Sequence, residues 1–511
     1  MRLTTARCII LSAGTLLTLS AQAQVEVAAL ASPHMPSSDM SLVPGGLDGT
    51  PDARFTNFNN KLYRTPTTNQ WIAVPTTNAT PNTIDQVLLL GTGRTSTVIA
   101  REGVTSIGVN PSNLAEEFLN FSSLSVPRFN DAGQWAVGFR LLGGAATDDR
   151  LVRWNGTSFD VTRGGDAAPG GSTFSGSFNS ASISNSGEVS FLGALGVATS
   201  ENAYRGSTRL IEMFVDAPTG QSTPTDQVWA DLDANGFLTD ATGTHWIAQG
   251  KVGGDPAIDV VIVVDGVVRV QEGSIIAGSS FTSPVSSVAS VSNNGVWMEP
   301  DGTWFAIGQN ADGQRWVLRN GVVIATSGSP IAGNPGETWE TFRSARGAGT
   351  HFVINGNASG ATLTDDVIVH DGTTVIARES DPVDVDGNGQ FDESLYVHLV
   401  QDHMVLMDDG YCYFVSRLKS APDATGGANG SNNASLLRVR AFTTTPACGT
   451  ADFDGDGDVG TDADIEAFFA CLAGNCCANC FSLGADFNAD GDVGTDADIE
   501  AFFRVLAGGP C

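Results

Sequence analysis

Residues 292–325 read SNNGVWMEPDGTWFAIGQNADGQRWVLRNGVVIA, and this stretch contains the two turn signals that decide the fold. The first signal is a short polar turn that ends in glycine, at 292–295. The second is the dipeptide Asn320-Gly321, which separates the apolar runs 317–318 and 322–325. An Asn-Gly dipeptide between two β-branched runs predicts a tight β-hairpin. The stretch therefore indicates short antiparallel strands joined by tight turns.

Both signals recur along residues 24–447, where they alternate with each other. The polar turns end at Gly133, Gly187, Gly236, Gly295 and Gly349, at intervals of 54, 49, 59 and 54 residues. The hairpin dipeptides are Asn155-Gly156, Arg205-Gly206, Asp265-Gly266, Asn320-Gly321 and Asp371-Gly372, at intervals of 50, 60, 55 and 51 residues. Degenerate polar turns at 59–61 and 401–403 extend the series to about seven units.

A unit of this length accommodates a four-stranded sheet with long loops. We predict an all-β fold, a seven-bladed β-propeller, because radial repetition protects the sheet edges. The rival arrangement is a pair of β-sandwiches. We expect the last strand, 435–442, to pair with the first blade and close the ring. This region resembles the propeller-like repeats of exported planctomycete proteins, and that resemblance implies a fold and no activity.

The composition limits the class of partner. The 511 residues include 56 acidic and 26 basic ones, for a net charge of −30. Nucleic acids and anionic membranes require basic surface, so the charge argues against both as partners. Such an acidic chain is suited to binding divalent cations or to solubility.

The N-terminus has the pattern of a secretory signal peptide. Arg2 and Arg7 precede an apolar stretch at 8–20 that is too short to span a bilayer, and Ala21-Gln22-Ala23 fits a cleavage site. We therefore predict a signal peptide at 1–23 and an exported protein, extracellular, at the cell surface or periplasmic. No later run is apolar enough for a transmembrane helix, and export permits disulfides.

The tail, 448–511, contains a tandem repeat. Residues 452–474 read DFDGDGDVGTDADIEAFFACLAG and residues 486–508 read DFNADGDVGTDADIEAFFRVLAG, with 19 of 23 positions identical. Each copy opens with D-x-[DN]-x-D-G, the start of an EF-hand-type calcium loop, in which alternate short side chains converge on one ion. The predicted calcium ligands are Asp452, Asp454, Asp456 and the carbonyl of Asp458 in the first copy, and Asp486, Asn488, Asp490 and the carbonyl of Asp492 in the second.

A short helix is predicted after each loop, because apolar residues recur at i, i+3, i+4 and i+7. The apolar faces consist of Ile465, Phe468, Phe469 and Leu472 in the first copy and of Ile499, Phe502, Phe503 and Leu506 in the second. Val459 and Val493, at the eighth loop position, are expected to act as apolar plugs.

With these motifs the tail resembles a dockerin, the duplicated calcium module of cellulosome-type assemblies. It is more similar still to the cysteine-bearing, dockerin-like tails of planctomycete exported proteins. The resemblance implies a cohesin-like or cell-surface protein as partner. It also implies a closing aspartate directly before an apolar residue, which favours Asp464 and Asp498 over the alternatives Asp462 and Asp496.

Two further expectations concern the tail. The two copies are identical over VGTDADIEAFF, so the exposed residues Thr461 and Asp462, like Thr495 and Asp496, are candidates for docking a partner in either of two orientations. The tail cysteines are predicted to form disulfides, with 15 possible pairings and zinc binding at Cys477 and Cys480 as the alternative; they are Cys448, Cys471, Cys476, Cys477, Cys480 and Cys511.

One segment of the repeat region also predicts a calcium site. Residues 384–392 fit D-x-D-x-N-G-x-x-D, which resembles the calcium loops of integrin-type propellers. The implied ligands are the side chains of Asp384, Asp386, Asn388 and Asp392 and the carbonyl of Gln390. The alternative is a polar loop between blades. Outside the tail, His245 and His351 are expected to bond to turns, and Cys412 to be a buried strand thiol.

Together these patterns predict an exported, calcium-binding, non-catalytic propeller that binds or scaffolds a polysaccharide or protein ligand and is displayed through a dockerin-like tail. The sequence contains no H-E-x-x-H, G-x-S-x-G or P-loop motif. The alternative function is a carbohydrate-active enzyme, a polysaccharide hydrolase or lyase, because the dockerin resemblance implies polysaccharide breakdown. A third possibility is a surface-layer or matrix protein.

Overall fold

The structure, a computed structural model, describes residues 24–58, 61–121, 127–141, 148–196, 201–222, 224–289, 295–443, 449–477, 479–481, 484–488 and 493–509. The predicted signal peptide 1–23 lies outside the described residues. The chain divides into two compact units with a border between Ala441 and Phe442, and residues 408–410 belong with the second unit. None of the helices in the described ranges is long and apolar enough to cross a membrane.

The strands are short, as the closely spaced turns predict. In chain order they are β1 Val25–Ala29, β2 Phe55–Asn57, β3 Leu62–Arg64, β4 Trp71–Ala73, β5 Thr76–Thr77, β6 Val87–Thr92, β7 Thr95–Arg101, β8 Ser106–Val109, β9 Glu116–Phe118, β10 Arg128–Phe129, β11 Trp135–Arg140, β12 Asp149–Trp154, β13 Phe159–Thr162, β14 Phe174–Ile183, β15 Val189–Leu195, β16 Glu201–Arg205, β17 Thr208–Ile211, β18 Trp229–Thr239, β19 Trp246–Val252, β20 Val260–Val264, β21 Val267–Gln271, β22 Val285–Val288, β23 Val296–Met298, β24 Trp304–Asn310, β25 Arg315–Arg319, β26 Val322–Thr326, β27 Trp339–Ala348, β28 His351–Ala358, β29 Asp366–His370, β30 Thr374–Arg378, β31 Val383–Asp384, β32 Tyr396–Leu406, β33 Tyr411–Lys419 and β34 Ala434–Arg440.

The first unit is a seven-bladed β-propeller, as predicted. The first six blades are the antiparallel sheets β3-β4-β6-β7, β10-β11-β12-β13, β14-β15-β16-β17, β18-β19-β20-β21, β22-β24-β25-β26 with β23 beside β24, and β27-β28-β29-β30. The seventh is β31-β1-β34-β33-β32. In the described ranges the unit also contains two small sheets, β2-β5 and β8-β9, and two 3-10 turns, Asp39–Ser41 and Ala428–Gly430.

The five predicted hairpin dipeptides lie where the sequence places them, between the third and fourth strands of blades two to six. At Asp265-Gly266 both residues have positive φ, 51° and 81°, and at Asn320-Gly321 the values are 49° and 82°. These angles match a type I′ turn, whose twist suits a two-residue hairpin. At these two hairpins the signal predicts both the position and the turn type, whereas at Asn155-Gly156 and Arg205-Gly206 only the glycine has positive φ and the signal predicts the position alone.

The polar-turn signal is correct in some blades and wrong in others. Residues 130–133 and 184–187 do join the first two strands of their blades, but 233–236 lies inside β18 and 401–403 inside β32. There the strand register shifts, between Leu232 and Phe237 and between Val400 and Met404. The extra polar residues form irregularities within the strands, and the connecting turns come later, at 240–245 and 407–410. Residues 59–60 and 292–294 lie outside the described ranges.

The ring closes differently from the prediction. β34 does not pair with the first blade: it lies between β33 and β1 in the seventh. β1 pairs antiparallel with β34 and parallel with β31, with Val25 opposite Val439 and Val383. An ion pair of 2.6 Å between Glu26 and Arg438 adds to this ladder. The first described strand is therefore the one that closes the ring.

The second unit is a pair of loop–helix copies around an aromatic core. The helices are α1 Asp462–Leu472 and α2 Asp496–Leu506. Phe468 and Phe502 stack at a centroid distance of 4.1 Å, and Phe453 and Phe487 at 6.1 Å, all four being fully buried. Each aromatic residue thus meets its counterpart from the other copy. This arrangement indicates pseudo-two-fold symmetry within the unit.

Two expectations for the tail are wrong. Val459 and Val493 do not act as plugs, because 69% and 70% of their surfaces are exposed. The position facing the other helix is taken by the glycine that follows each valine: Gly460 lies against Leu506, as Gly494 does against Leu472.

The predicted apolar face of each helix is also too wide. The other copy buries the side of the helix that carries Phe468 or Phe502 and covers the adjacent side only in part. Phe469 and Phe503 are 44% and 45% exposed and contact each other at a centroid distance of 6.2 Å.

Candidate metal centres

The first tail loop gathers carboxylates from both of its ends. One oxygen each from Asp452, Asp454 and Asp464 lies within 4.8 Å of the others. Hydrogen bonds from the backbone to the aspartate side chains hold the turn between them. The N–H of Asp456 donates to Asp454 Oδ1 at 3.1 Å, and that of Gly457 donates to Asp452 Oδ2 at 3.2 Å. The side chains of Asp456 and Asp458 are exposed and do not join this group. The loop therefore presents three carboxylates toward one point.

The closing residue is Asp464 in this geometry. Its Oδ1 accepts N–H groups of Phe453 and Asp454 at 2.6 and 3.3 Å, and its Oδ2 accepts the N–H of Thr461 at 2.8 Å. Burial raises the pKa of this carboxyl, but the hydrogen bonds from Thr461, Asp454 and Phe453 lower it more, so the pKa lies below its ordinary value. Asp464 is therefore ionised, whereas the alternative Asp462 is exposed on the first helical turn.

The second loop repeats this arrangement in its described part. Asp498 accepts N–H groups of Asn488 at 3.1 Å and of Thr495 at 2.8 Å, and it is fully buried. Burial raises its pKa, but the hydrogen bonds lower it more, so the pKa lies below its ordinary value, as in the first copy. Asp486 is also buried. The predicted ligands Asp490 and Asp492 lie outside the described residues.

The residues predicted to bind a partner have two different roles. Thr461 and Thr495 are the N-caps of α1 and α2 and form capping boxes with Asp464 and Asp498. Their side chains are thereby committed to the helix starts. Asp462 and Asp496 are exposed and remain accessible.

The first loop fits a calcium ion by its donor chemistry. All the converging atoms are oxygens, and ligands on one calcium ion lie up to about 5 Å apart because each is roughly 2.3–2.6 Å from the ion. Asp452 Oδ1 is buried and has no hydrogen-bond donor among the described residues. A buried carboxylate oxygen without a donor is costly unless a cation compensates it.

The loop of the propeller gathers a similar set. Asp384 is fully buried and accepts N–H groups of Gly387 at 2.7 Å and Gly389 at 2.9 Å. Asp386 accepts the N–H of Asn388 at 3.0 Å, and Asn388 Oδ1 in turn accepts the N–H of Gln390 at 2.7 Å. The predicted ligands 384–390 thus lie in one continuous turn.

The acidic residue that completes this set is Glu393, which the sequence interpretation missed. One oxygen each from Asp384, Asp386 and Glu393 lies within 4.8 Å of the others, whereas Asp392 is exposed and outside the group. Glu393 Oε2 is buried and has no donor within the described ranges. The motif alone cannot choose between two adjacent acidic residues, because the choice depends on which way the chain turns after Phe391.

The tail cysteines that the structure describes form two disulfides, Cys471–Cys476 and Cys477–Cys480. The second excludes the zinc alternative for its two cysteines in this structure, because metal binding requires free thiolates. Cys448 and Cys511 lie outside the described residues. Cys412 is a free thiol buried in β33, as expected, and burial raises its pKa.

Charged and aromatic side chains from several blades of the propeller meet in one cluster. The guanidinium of Arg128 lies 3.8 Å from the ring centroid of Tyr63, and that of Arg346 lies 3.8 Å from that of Trp297. Burial lowers the pKa of Arg346 to about 10. Glu299, at 3.8 Å from Arg64, is the acidic partner of this cluster. No local sequence pattern predicts this cluster, because its members are scattered over several blades.

Comparison with known families adds little about activity. A profile of a family of unknown function, DUF7453, matches residues 42–206. No curated protein sequence matches the chain. The matched segment begins before the first blade and extends into the third.

Solved structures of other proteins resemble this chain only at low similarity. The polysaccharide lyase Uly1 is 10% identical, with 82% of this chain and 97% of that one covered and a TM-score of 0.33. The GH43 protein BlXynB from Bacillus licheniformis is 10% identical, with 76% and 99% covered and a TM-score of 0.24. PorZ, a surface component of the type-IX secretion system of Porphyromonas gingivalis, is 10% identical, with 78% and 59% covered and a TM-score of 0.25. Likenesses of this size support no functional inference.

Proposed function

We propose that this protein is an exported, calcium-binding propeller, a non-catalytic binding or scaffold element displayed through its dockerin-like tail. The observation that carries the proposal is the convergence of Asp452, Asp454 and Asp464. One of the converging residues, Asp452, has a buried oxygen that accepts no hydrogen bond from the described residues. Asp498 repeats the bonding of Asp464 in the second copy. The loop at 384–393 supplies a third candidate site.

Calcium, when bound, would supply positive charge to loops that are otherwise purely acidic. Asp452, Asp454 and Asp464 would hold one ion, with Asp456 and the carbonyl of Asp458 as further predicted ligands. Neutralising these carboxylates removes their mutual repulsion, which would otherwise oppose a compact loop. The expected role of the ion is therefore structural: it fixes each loop against the start of its helix.

The test is the calcium stoichiometry of the full-length protein by calorimetry. Three sites are expected in the wild type, and Asp452→Ala, Asp486→Ala and Asp384→Ala should each remove one. Asp462→Ala is the matched control, because it changes an exposed carboxylate two residues before Asp464 that does not join the converging group, and it should leave three. Unchanged stoichiometry in Asp452→Ala and Asp486→Ala would refute calcium binding by the tail.

The alternative function, an enzyme acting on polysaccharides, is tested separately. The full-length protein is incubated with acidic and neutral polysaccharides, and reducing ends and unsaturated products are measured. We expect binding without product. Accumulation of either product would replace the scaffold proposal with a hydrolase or lyase and would leave the calcium sites unaffected.

A further inference from the structure

The sixth blade carries two histidines and an aspartate that the calcium proposal does not use. His351 begins β28, His370 ends β29, and Asp371 follows in the hairpin turn. His351 Nδ1 lies 2.7 Å from Asp371 Oδ2 and 3.2 Å from His370 Nε2, and His370 Nε2 lies 3.1 Å from the same Asp371 oxygen. Three potential ligand atoms from two strands and a turn thus form a triangle with sides of similar length.

This triangle is close in size to one face of a metal coordination shell: two of its sides, 3.1 and 3.2 Å, match such a face, and the third, 2.7 Å, is slightly shorter. Ligand atoms that each lie 2.0–2.1 Å from an ion are separated by about 2.9–3.4 Å in octahedral or tetrahedral geometry. Two imidazoles and one carboxylate are ligands that divalent transition metals prefer, whereas calcium prefers oxygen alone. We propose that His351, His370 and Asp371 bind one divalent transition metal ion, of which zinc is the representative.

A comparison with the fourth blade distinguishes metal binding from a purely structural role of these residues. There His245 Nδ1 lies 2.8 Å from Asp265 Oδ2, and Asp265 Oδ1 accepts the N–H of Trp246 at 2.9 Å. In the sixth blade Asp371 Oδ1 likewise accepts the N–H of Phe352, at 2.8 Å. The histidine–aspartate pair is therefore a recurring turn-capping device.

The second imidazole is what distinguishes the two blades. Val264 is paired with Ile247 in the fourth blade in the same register in which His370 is paired with Val353 in the sixth. The turn and its cap therefore form with a valine at this position. The turn therefore does not require His370. With His370 present, the histidine–aspartate pair that caps the turn gains a third potential metal ligand.

The surroundings are compatible with an ion that enters from solvent. The side chains of His351 and Asp371 are 37% and 31% exposed, and that of His370 is 11% exposed. The neighbouring cation, Arg319, donates to the backbone carbonyls of Gly349 and Thr350. Three protein ligands leave at least one coordination position to water.

The test is a zinc titration of the full-length protein in excess calcium, which keeps the acidic loops occupied. One zinc ion per chain is expected. His370→Val, which reproduces the fourth blade, should weaken zinc binding at least tenfold and abolish the visible spectrum of the cobalt-substituted protein. The matched control His245→Gln should change neither.

A second variant tests the proposal independently of any loss of stability. Val264→His introduces the missing imidazole beside His245 and Asp265, and it should raise the stoichiometry from one zinc to two. Circular dichroism verifies that each variant is folded. The proposal is overturned if the wild type binds no zinc in excess calcium, or if folded His370→Val binds zinc as tightly as the wild type.

Discussion

Asp464 and Asp498 each accept hydrogen bonds from both the loop and the helix start, and this makes them the candidate closing ligands of the two loops. Asp464 holds the N-cap Thr461 and the loop residue Phe453 with one side chain, so its position is fixed by the helix start. The dockerin resemblance favoured this residue over Asp462, and the geometry supplies the physical reason. The sequence did not indicate Glu393 or the cluster around His370, because those side chains meet through a chain turn and a strand register that no local spacing encodes.

Buried His403 provides a residue-scale prediction of pH dependence. Burial and then the nearby charges of Arg346, Lys61 and Arg128 lower its pKa to about 3. In the unfolded chain a histidine has a pKa of about 6.5 and gains its proton below that pH, while the folded form stays neutral. Protonation of the unfolded chain therefore lowers the free energy of unfolding below about pH 6.5. The loss is up to about 1.4 kcal/mol per pH unit as the pH falls toward about 3, and His403 causes no loss above about pH 6.5.

The measurement is the melting temperature of wild type and His403→Gln at pH 7.5 and 5.5. The wild type should lose more stability than the variant between these two values. His245→Gln is the opposite case: the hydrogen bond with Asp265 raises the pKa of His245, so this variant should lose more stability than the wild type between the two pH values. An equal loss in wild type and His403→Gln would mean that His403 does not contribute to the pH dependence.

At the scale of elements, the accuracy of each prediction follows from how local its cause is. All five hairpin dipeptides mark the turns correctly, and Asp265-Gly266 and Asn320-Gly321 form type I′ turns because both of their residues adopt positive φ. The polar turn is ambiguous because the same residues, Asp233 to Gly236, also form an irregularity inside a strand. The helices were placed correctly by periodicity, but how much of each is covered depends on the other copy.

The helix pair carries a prediction about docking. Gly460 packs against Leu506 as Gly494 packs against Leu472, so the two copies are related by a pseudo-two-fold axis. Asp462 and Asp496 are exposed at equivalent positions on this pair. We therefore expect a partner to bind in either of two orientations, one centred on each copy.

The measurement is capture of a partner from the exported proteins of the source organism by the immobilised full-length protein. Asp462→Arg alone and Asp496→Arg alone should retain capture, whereas the double variant should lose it. Thr461 and Thr495 are left unchanged, because they cap the helices. Loss of capture in either single variant would indicate one fixed orientation, and no capture by the wild type would contradict docking.

At the scale of the whole molecule, the number of blades could be predicted but the way the ring closes could not. Blade number follows from a repeat that is visible in the sequence. Closure depends on pairing between β1 and β34, about 400 residues apart in the chain, and neither strand carries a local signal for the other. Strand β1 also lies beside the candidate calcium loop of the propeller, because it pairs with β31, which ends at Asp384.

This closure gives the last prediction. Val27 is fully buried in β1, opposite Leu437, so Val27→Asp places an unpaired carboxylate in the seam that closes the ring. Burying such a charge costs several kcal/mol, and we expect a fall of several degrees in the melting temperature. Thr97→Asp introduces the same charge at an exposed position of β7 and should change the melting temperature by less than about 2 °C. If both variants melt like the wild type, β1 does not hold the ring closed; if Val27→Asp alone melts early, closure depends on the strand that the repeat pattern does not reveal.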